Sequence, residues 1–273
     1  MTRRARTTLL RRASAAVVLA GAAGLAAITL VPQPFSPAAS SAAPAGASPL
    51  DVPIPRTPSF TPGKPRLLAR ASVHRWAPVL ESVEARQAPR ADAPVVGAVP
   101  ARTPEGTENI VVVLGSAVEA SGQLWIHVRL AVLPNNSTGW VPRSALGGYA
   151  TVRTRLAVDL DELTATLYRD GRAIFAAPVG VGAAQWPTPR GEFYIRNRLS
   201  GFTDPVYGPL AFGTSARSSV LTDWPAGGFI GIHGTNRPDL LPGRVSHGCI
   251  RLRNEDILTL ARLMPIGTPV TVS

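Results

Sequence analysis

The chain has 273 residues, with 28 Lys and Arg against 17 Asp and Glu and a formal net charge of +11. Hydrophobic residues make up 45% of it and charged residues 16%, which supplies a packed core and excludes wholesale disorder. The single cysteine excludes a disulfide scaffold, and the length admits about two domains but no multi-pass transporter.

Residues 1–31 read as a signal peptide or membrane anchor. Arg3, Arg4, Arg6, Arg11 and Arg12 form a basic start, followed by the uncharged apolar run Ala13 to Val31. The run is longer than a usual signal core and close to a bilayer span, so cleaved and uncleaved fates are both open. Uncleaved, the basic flank would keep the N-terminus cytoplasmic and send the rest outside, to the cell-wall side of the membrane. Residues 32–66 are a Pro-rich linker, expected to be extended and semi-rigid. Most of the positive excess lies in these two segments. No basic stripe with interleaved aromatics follows them, so nucleic acid is not an expected partner.

Residues 67–149 alternate short strands and turns. Val111 to Leu114 is a β-branched run, and Leu124 to Leu130 alternates apolar and polar residues. Pro134-Asn135-Asn136-Ser137 is a turn, and Gly139-Trp140-Val141-Pro142 is a further strand. This order resembles the SH3-like domains of bacterial cell-wall proteins. Trp125 and Trp140 either line a peptide groove or fill the core of a small barrel.

Residues 150–273 change texture. Strands are expected at Val152 to Leu160, Leu163 to Tyr168, Ala173 to Val179, Gly191 to Ile195, Gly228 to His233 and Pro269 to Val272. Asp170-Gly171 marks a hairpin. Asn254 reads as the N-cap of a short helix ending near Pro265. The expected fold is mainly β: a small barrel, then a β-rich sandwich-like domain with one late helix.

The chemistry concentrates in that second half. Cys249 stands in Val245-Ser246-His247-Gly248-Cys249-Ile250-Arg251, and His233 ends an apolar strand 16 residues upstream. A cysteine nucleophile needs a base for its proton, an acceptor to orient that base, and N–H donors for the oxyanion. An imidazole beside the thiol is expected to give a thiolate–imidazolium pair.

Ile232-His233-Gly234-Thr235 followed by Ser246-His247-Gly248-Cys249-Ile250-Arg251-Leu252 resembles the signature of L,D-transpeptidases with the YkuD-type catalytic domain. Thr188-Pro189-Arg190-Gly191-Glu192-Phe193-Tyr194-Ile195 resembles that domain's Thr-Pro-x-Gly-x-Phe strand. The resemblance implies an enzyme that joins peptidoglycan stem peptides by 3→3 cross-links through a cysteine thioester. It implies Cys249 as nucleophile, His233 as general base and acid, and the Gly234 carbonyl as its orienter. His247 would support the site, and Gly248 would line the oxyanion hole with Cys249. Arg251, Ser246, Tyr194 and Trp224 are candidate substrate contacts. The resemblance implies acylation by carbapenem-type β-lactams, and neither metal nor cofactor is expected.

Several rivals remain at this level. The same site would serve an L,D-carboxypeptidase or D-amino-acid exchange, which differ only in the nucleophile that resolves the thioester. His233, His247 and Cys249 are also three potential zinc ligands, although no Asp or Glu lies near them in sequence. A sortase-like transpeptidase would use Cys and His in another motif. A catalytically silent wall-binding module would owe its function to residues 67–149.

Overall fold

Apolar–polar alternation punctuated by Gly, Pro and Asn turns yields short strands along the whole folded part. The computed structural model describes residues 65–67, 73–222 and 228–273. The expected signal or anchor, nearly all of the linker, and Trp224 lie outside the described residues. Among the described residues, no helix is long and apolar enough to cross a membrane.

The first sheet contains β1 (Arg66–Leu67), β2 (His74–Pro78), β3 (Val83–Arg86), β4 (Val95–Val99), β5 (Ile110–Val118), β6 (Leu124–Arg129), β7 (Thr138–Pro142) and β8 (Ala150–Val152). Their order is β4-β3-β7-β6-β5-β2-β8, with β1 also on β5, and every pairing is antiparallel. Side chains alternate across a strand. One face therefore buries Val111, Val113, Ile126, Val128 and Val141 together. Trp125 is buried, with its Nε1–H donating to Glu119, and Trp140 stacks on His127 at 4.7 Å. Residues 150–152 pair with β2 and so complete the first sheet instead of opening the second half.

The second sheet contains β9 (Thr154–Asp159), β10 (Thr164–Arg169), β11 (Arg172–Pro178), β12 (Gly180–Gly182), β13 (Gly191–Ser200), β14 (Leu210–Arg217), β15 (Phe229–His233), β16 (Gly243–Ser246), β17 (Ile250–Arg251) and β18 (Pro269–Val272). Their order is β11-β10-β9-β18-β13-β14-β15-β17-β12-β16. Asp170 and Gly171 both take positive φ between β10 and β11, as the tight hairpin turn requires. The helix α1 (Asn254–Leu263) buries Ile257 and Leu260 in the core formed with Leu156, Ile195 and Phe212. The fold is thus mainly β with one late helix. Asn254 is not the N-cap. Arg253 takes that position, and Asn254 begins the helix with its side chain engaged elsewhere.

Both sheets lie within one compact unit. Tyr194 on β13 is 1% exposed and packs on Ile110 and Val112 of β5, its hydroxyl donating to the Ile110 carbonyl. Arg196 and Asn197, also on β13, are held by the turn between β4 and β5. Arg196 pairs with Glu105 at 3.0 Å, and the Asn197 amide donates to Glu105 and Thr107.

Candidate active site

Two parallel strands bring His233 and the Cys249 segment together. β15 runs beside β17, with Ile232 opposite Ile250 and His233 opposite Arg251. The intervening segment leaves the sheet, returns as β16 beside β12, and delivers Cys249 just before β17. The Gly231 N–H donates to Cys249 Sγ at 3.4 Å. A Cβ added to Gly231 would lie 3.8 Å from His233 Cδ2 and 3.9 Å from Cys249 Sγ, so imidazole and thiol flank one point above a bare backbone. A glycine inside an apolar strand is a sequence signal for such a close approach.

His233 is buried beneath Tyr207, whose ring meets it edge-on at 5.2 Å. Its Nδ1–H donates to the Gly234 carbonyl at 2.6 Å, which leaves Nε2 as the proton acceptor. The Thr235 N–H, in the same peptide unit as that carbonyl, donates to Asn254 Oδ1 at 2.9 Å. The same Asn254 oxygen sits where a Cβ on Gly234 would fall, which accounts for glycine at this position.

Burial drives the electrostatics. It lowers the His233 pKa to about 4, against a smaller upward effect of the Gly234 hydrogen bond. It also pushes the Cys249 thiol above its ordinary value, opposed by the Gly231 N–H and by Arg251. Each shift favours the neutral form of its group, because a charge held there loses its hydration. The arrangement suits proton transfer from thiol to Nε2 during attack.

The residues after β16 form a tight loop. Ser246 is 1% exposed; its hydroxyl accepts the Gly248 N–H at 3.1 Å and donates to the Cys249 carbonyl. Gly248 has φ +111 and an added Cβ would strike Ile230, so glycine is required there. Thr188 is also buried; its hydroxyl accepts the Gly182 N–H at 2.9 Å and donates to the Gly248 carbonyl at 2.7 Å.

His233, His247, Cys249 and Arg251 share one cleft of about 550 Å³, with Tyr207 and Glu105 also on its walls. His247 is exposed and stacks on Trp186 at 4.1 Å. Arg251 is half-buried, and its Nε is buried without a hydrogen-bond partner among the described residues. Among those residues, no three His, Cys, Asp or Glu side chains are grouped as metal ligands would be.

Residues 153–272 match the family model of the YkuD L,D-transpeptidase catalytic domain. The chain is 37% identical over 123 residues to the Bacillus subtilis protein designated L,D-transpeptidase YkuD, covering 45% of this chain and 68% of that protein.

The chain belongs to the YkuD L,D-transpeptidase family. The Bacillus licheniformis protein of the same designation is 38% identical, again over 123 residues, with 45% of this chain and 67% of that one covered. The solved catalytic domain of an E. faecium L,D-transpeptidase is 27% identical, with 44% of this chain and 96% of that chain covered at a TM-score of 0.33.

Within this L,D-transpeptidase domain, Cys249, His233, Gly234, His247 and Arg251 meet as the sequence suggests, but three expectations need correction. Tyr194 is no cleft residue, because strand alternation turns it toward β5. Ser246 is not available to substrate, since its hydroxyl is engaged within the loop. The Gly248 N–H donates to the Ser246 hydroxyl and is not free for an oxyanion. Sequence reasoning assigned no part in the site to Tyr207, Trp186 or Gly231. Only the glycine within an apolar strand carried a local signal.

Proposed function

We propose that this L,D-transpeptidase forms 3→3 cross-links in peptidoglycan through a thioester on Cys249. The observation that carries the reading is the thiol and the oriented imidazole flanking Gly231 at the floor of an open cleft. His233 Nε2 takes the thiol proton as sulfur attacks the carbonyl between the third stem residue and the D-Ala that follows. The oxyanion faces the Cys249 N–H. The protonated imidazole returns the proton to the departing D-Ala amine, and a thioester remains. The side-chain amine of a second stem then attacks, loses a proton to His233, and releases the thiol as the new amide forms. The unpartnered Arg251 Nε supports recognition of a stem carboxylate along the same cleft.

Residues 1–31 support a place on the outer side of the membrane, which fractionation of cells with and without that segment tests. We read the first sheet as an SH3-like module that abuts the catalytic domain and offers a wall-facing surface. Pull-down on purified peptidoglycan, compared with a Trp140→Ala variant, tests that surface; equal binding by the two would remove Trp140 from it.

The decisive assay is incubation with disaccharide-tetrapeptide fragments and mass spectrometry of the products, with Cys249→Ala alongside. A dimer lacking one D-Ala, absent for the variant, is expected. D-Ala release without dimer would make the enzyme a carboxypeptidase on the same thioester. No Cys249-dependent product would sink the catalytic reading.

A further inference from the structure

The first residue of the Thr-Pro-x-Gly-x-Phe segment, Thr188, does not itself line the cleft. The Thr188 hydroxyl bridges two backbone groups. It accepts the Gly182 N–H from β12 at 2.9 Å and donates to the Gly248 carbonyl at 2.7 Å. Thr188 is 4% exposed, so water does not compete for these bonds. The Gly248 carbonyl and the Cys249 N–H belong to one planar trans peptide and point in opposite directions. A carbonyl drawn toward Thr188 turns that N–H away from it. Ser246 secures the two flanking groups, the Gly248 N–H and the Cys249 carbonyl, and leaves the central peptide unit to Thr188.

We infer that Thr188 is a positioning residue for the oxyanion hole: it fixes the Gly248–Cys249 peptide so that the Cys249 N–H meets the developing oxyanion. This rests on the thioester reading above. It separates two properties of the same thiol. Attack on a carbonyl builds an oxyanion and needs that N–H. Displacement of iodide from iodoacetamide builds none.

The test uses the full chain and measures two rates on Cys249, acylation by a carbapenem and alkylation by iodoacetamide. Thr188→Val keeps the shape of the side chain and removes both hydrogen bonds. It is expected to slow acylation by about 100-fold, as loss of an oxyanion donor does, while alkylation stays within about threefold. Thr188→Ser keeps the hydroxyl and is expected to restore most of the acylation rate. Equal acylation by Thr188→Val and the unaltered chain would overturn the assignment, as would parallel loss of both rates. If Thr188→Val does not fold, the same two rates on Thr188→Ala decide the matter by the same criterion. An unaltered chain that is alkylated but never acylated would instead overturn the thioester reading.

Discussion

The two sheets use their polar groups in different ways. In the first sheet every pairing is antiparallel, and its turns reach outward to grip the second sheet. The second sheet contains three parallel pairings, β9 with β18, β12 with β16, and β15 with β17. Two of these three bracket His233 and Cys249. A parallel pair requires a crossover, so it brings together residues that a hairpin cannot. The lesson is that the site lies where the chain returns to its own sheet from a distance, while the first sheet supports β13 from outside.

That support has a specific chemistry, and removing it offers the sharpest contrast between the regions. Arg196 is 2% exposed, and its charge is balanced by Glu105. Burial alone would raise the Glu105 pKa, but Arg196 and hydrogen bonds from Thr103 and Asn197 outweigh it and hold the carboxyl below its ordinary value. Glu105→Ala would leave a buried guanidinium unpaired, at a cost of about 3–5 kcal/mol. The Arg196 side chain also lies over the Phe229 ring at 3.8 Å and donates to the Thr214 carbonyl, and Thr214 bonds to Ile230, so β15 is expected to loosen. Urea unfolding of Glu105→Ala, Arg196→Met and the double variant measures the coupling. A double variant no more stable than the sum of the single losses would show that the sheets are not linked through this pair.

A pH titration sharpens the contrast from the side of the site. His233 titrates at about 4 in the fold, against an ordinary value of 6.5. Between those values the unfolded chain binds the proton and the fold does not. Stability is therefore full above about pH 6.5 and falls as pH drops toward 4, by about 3 kcal/mol in total. His233→Gln is expected to flatten this acid limb in denaturation curves taken from pH 7 to 4. Curves that stay parallel would remove the buried imidazole as the cause.

The smallest expected effect lies at the boundary between the sheets. Tyr194→Phe removes the hydroxyl that donates to Ile110 and keeps the ring in the shared cluster. The loss is expected to be about 1–2 kcal/mol, with no change in acylation rate. A large fall in that rate would return Tyr194 to the cleft and contradict its place beside β5.

Much of this is legible in the sequence. The β9 to β11 meander followed from alternation and from Asp170-Gly171, and the late helix from its apolar spacing. β14 carries no clear signal in the sequence. Its Leu210 to Arg217 stretch alternates only weakly, and it is buried by neighbours on both edges. The two-residue β17 lies below any useful window for periodicity. Asn254 looked like a cap because its type favours that position, yet a neighbouring backbone N–H took the side chain.

The sequence by itself determined the mainly β character, the helix and the Cys249 and His233 motif, because these depend on local periodicity and on rare residue types. It also contained Thr188 and Asn254, without a hint of what they hold. Only the tertiary structure decided that Tyr194 faces the first sheet, that the Gly248 N–H is engaged by Ser246, and that burial favours the neutral forms of thiol and imidazole. Each of those outcomes depends on burial and on hydrogen-bond partners fixed by the folded chain. Burial is a property of the assembled sheets, and no stretch of residues carries it alone.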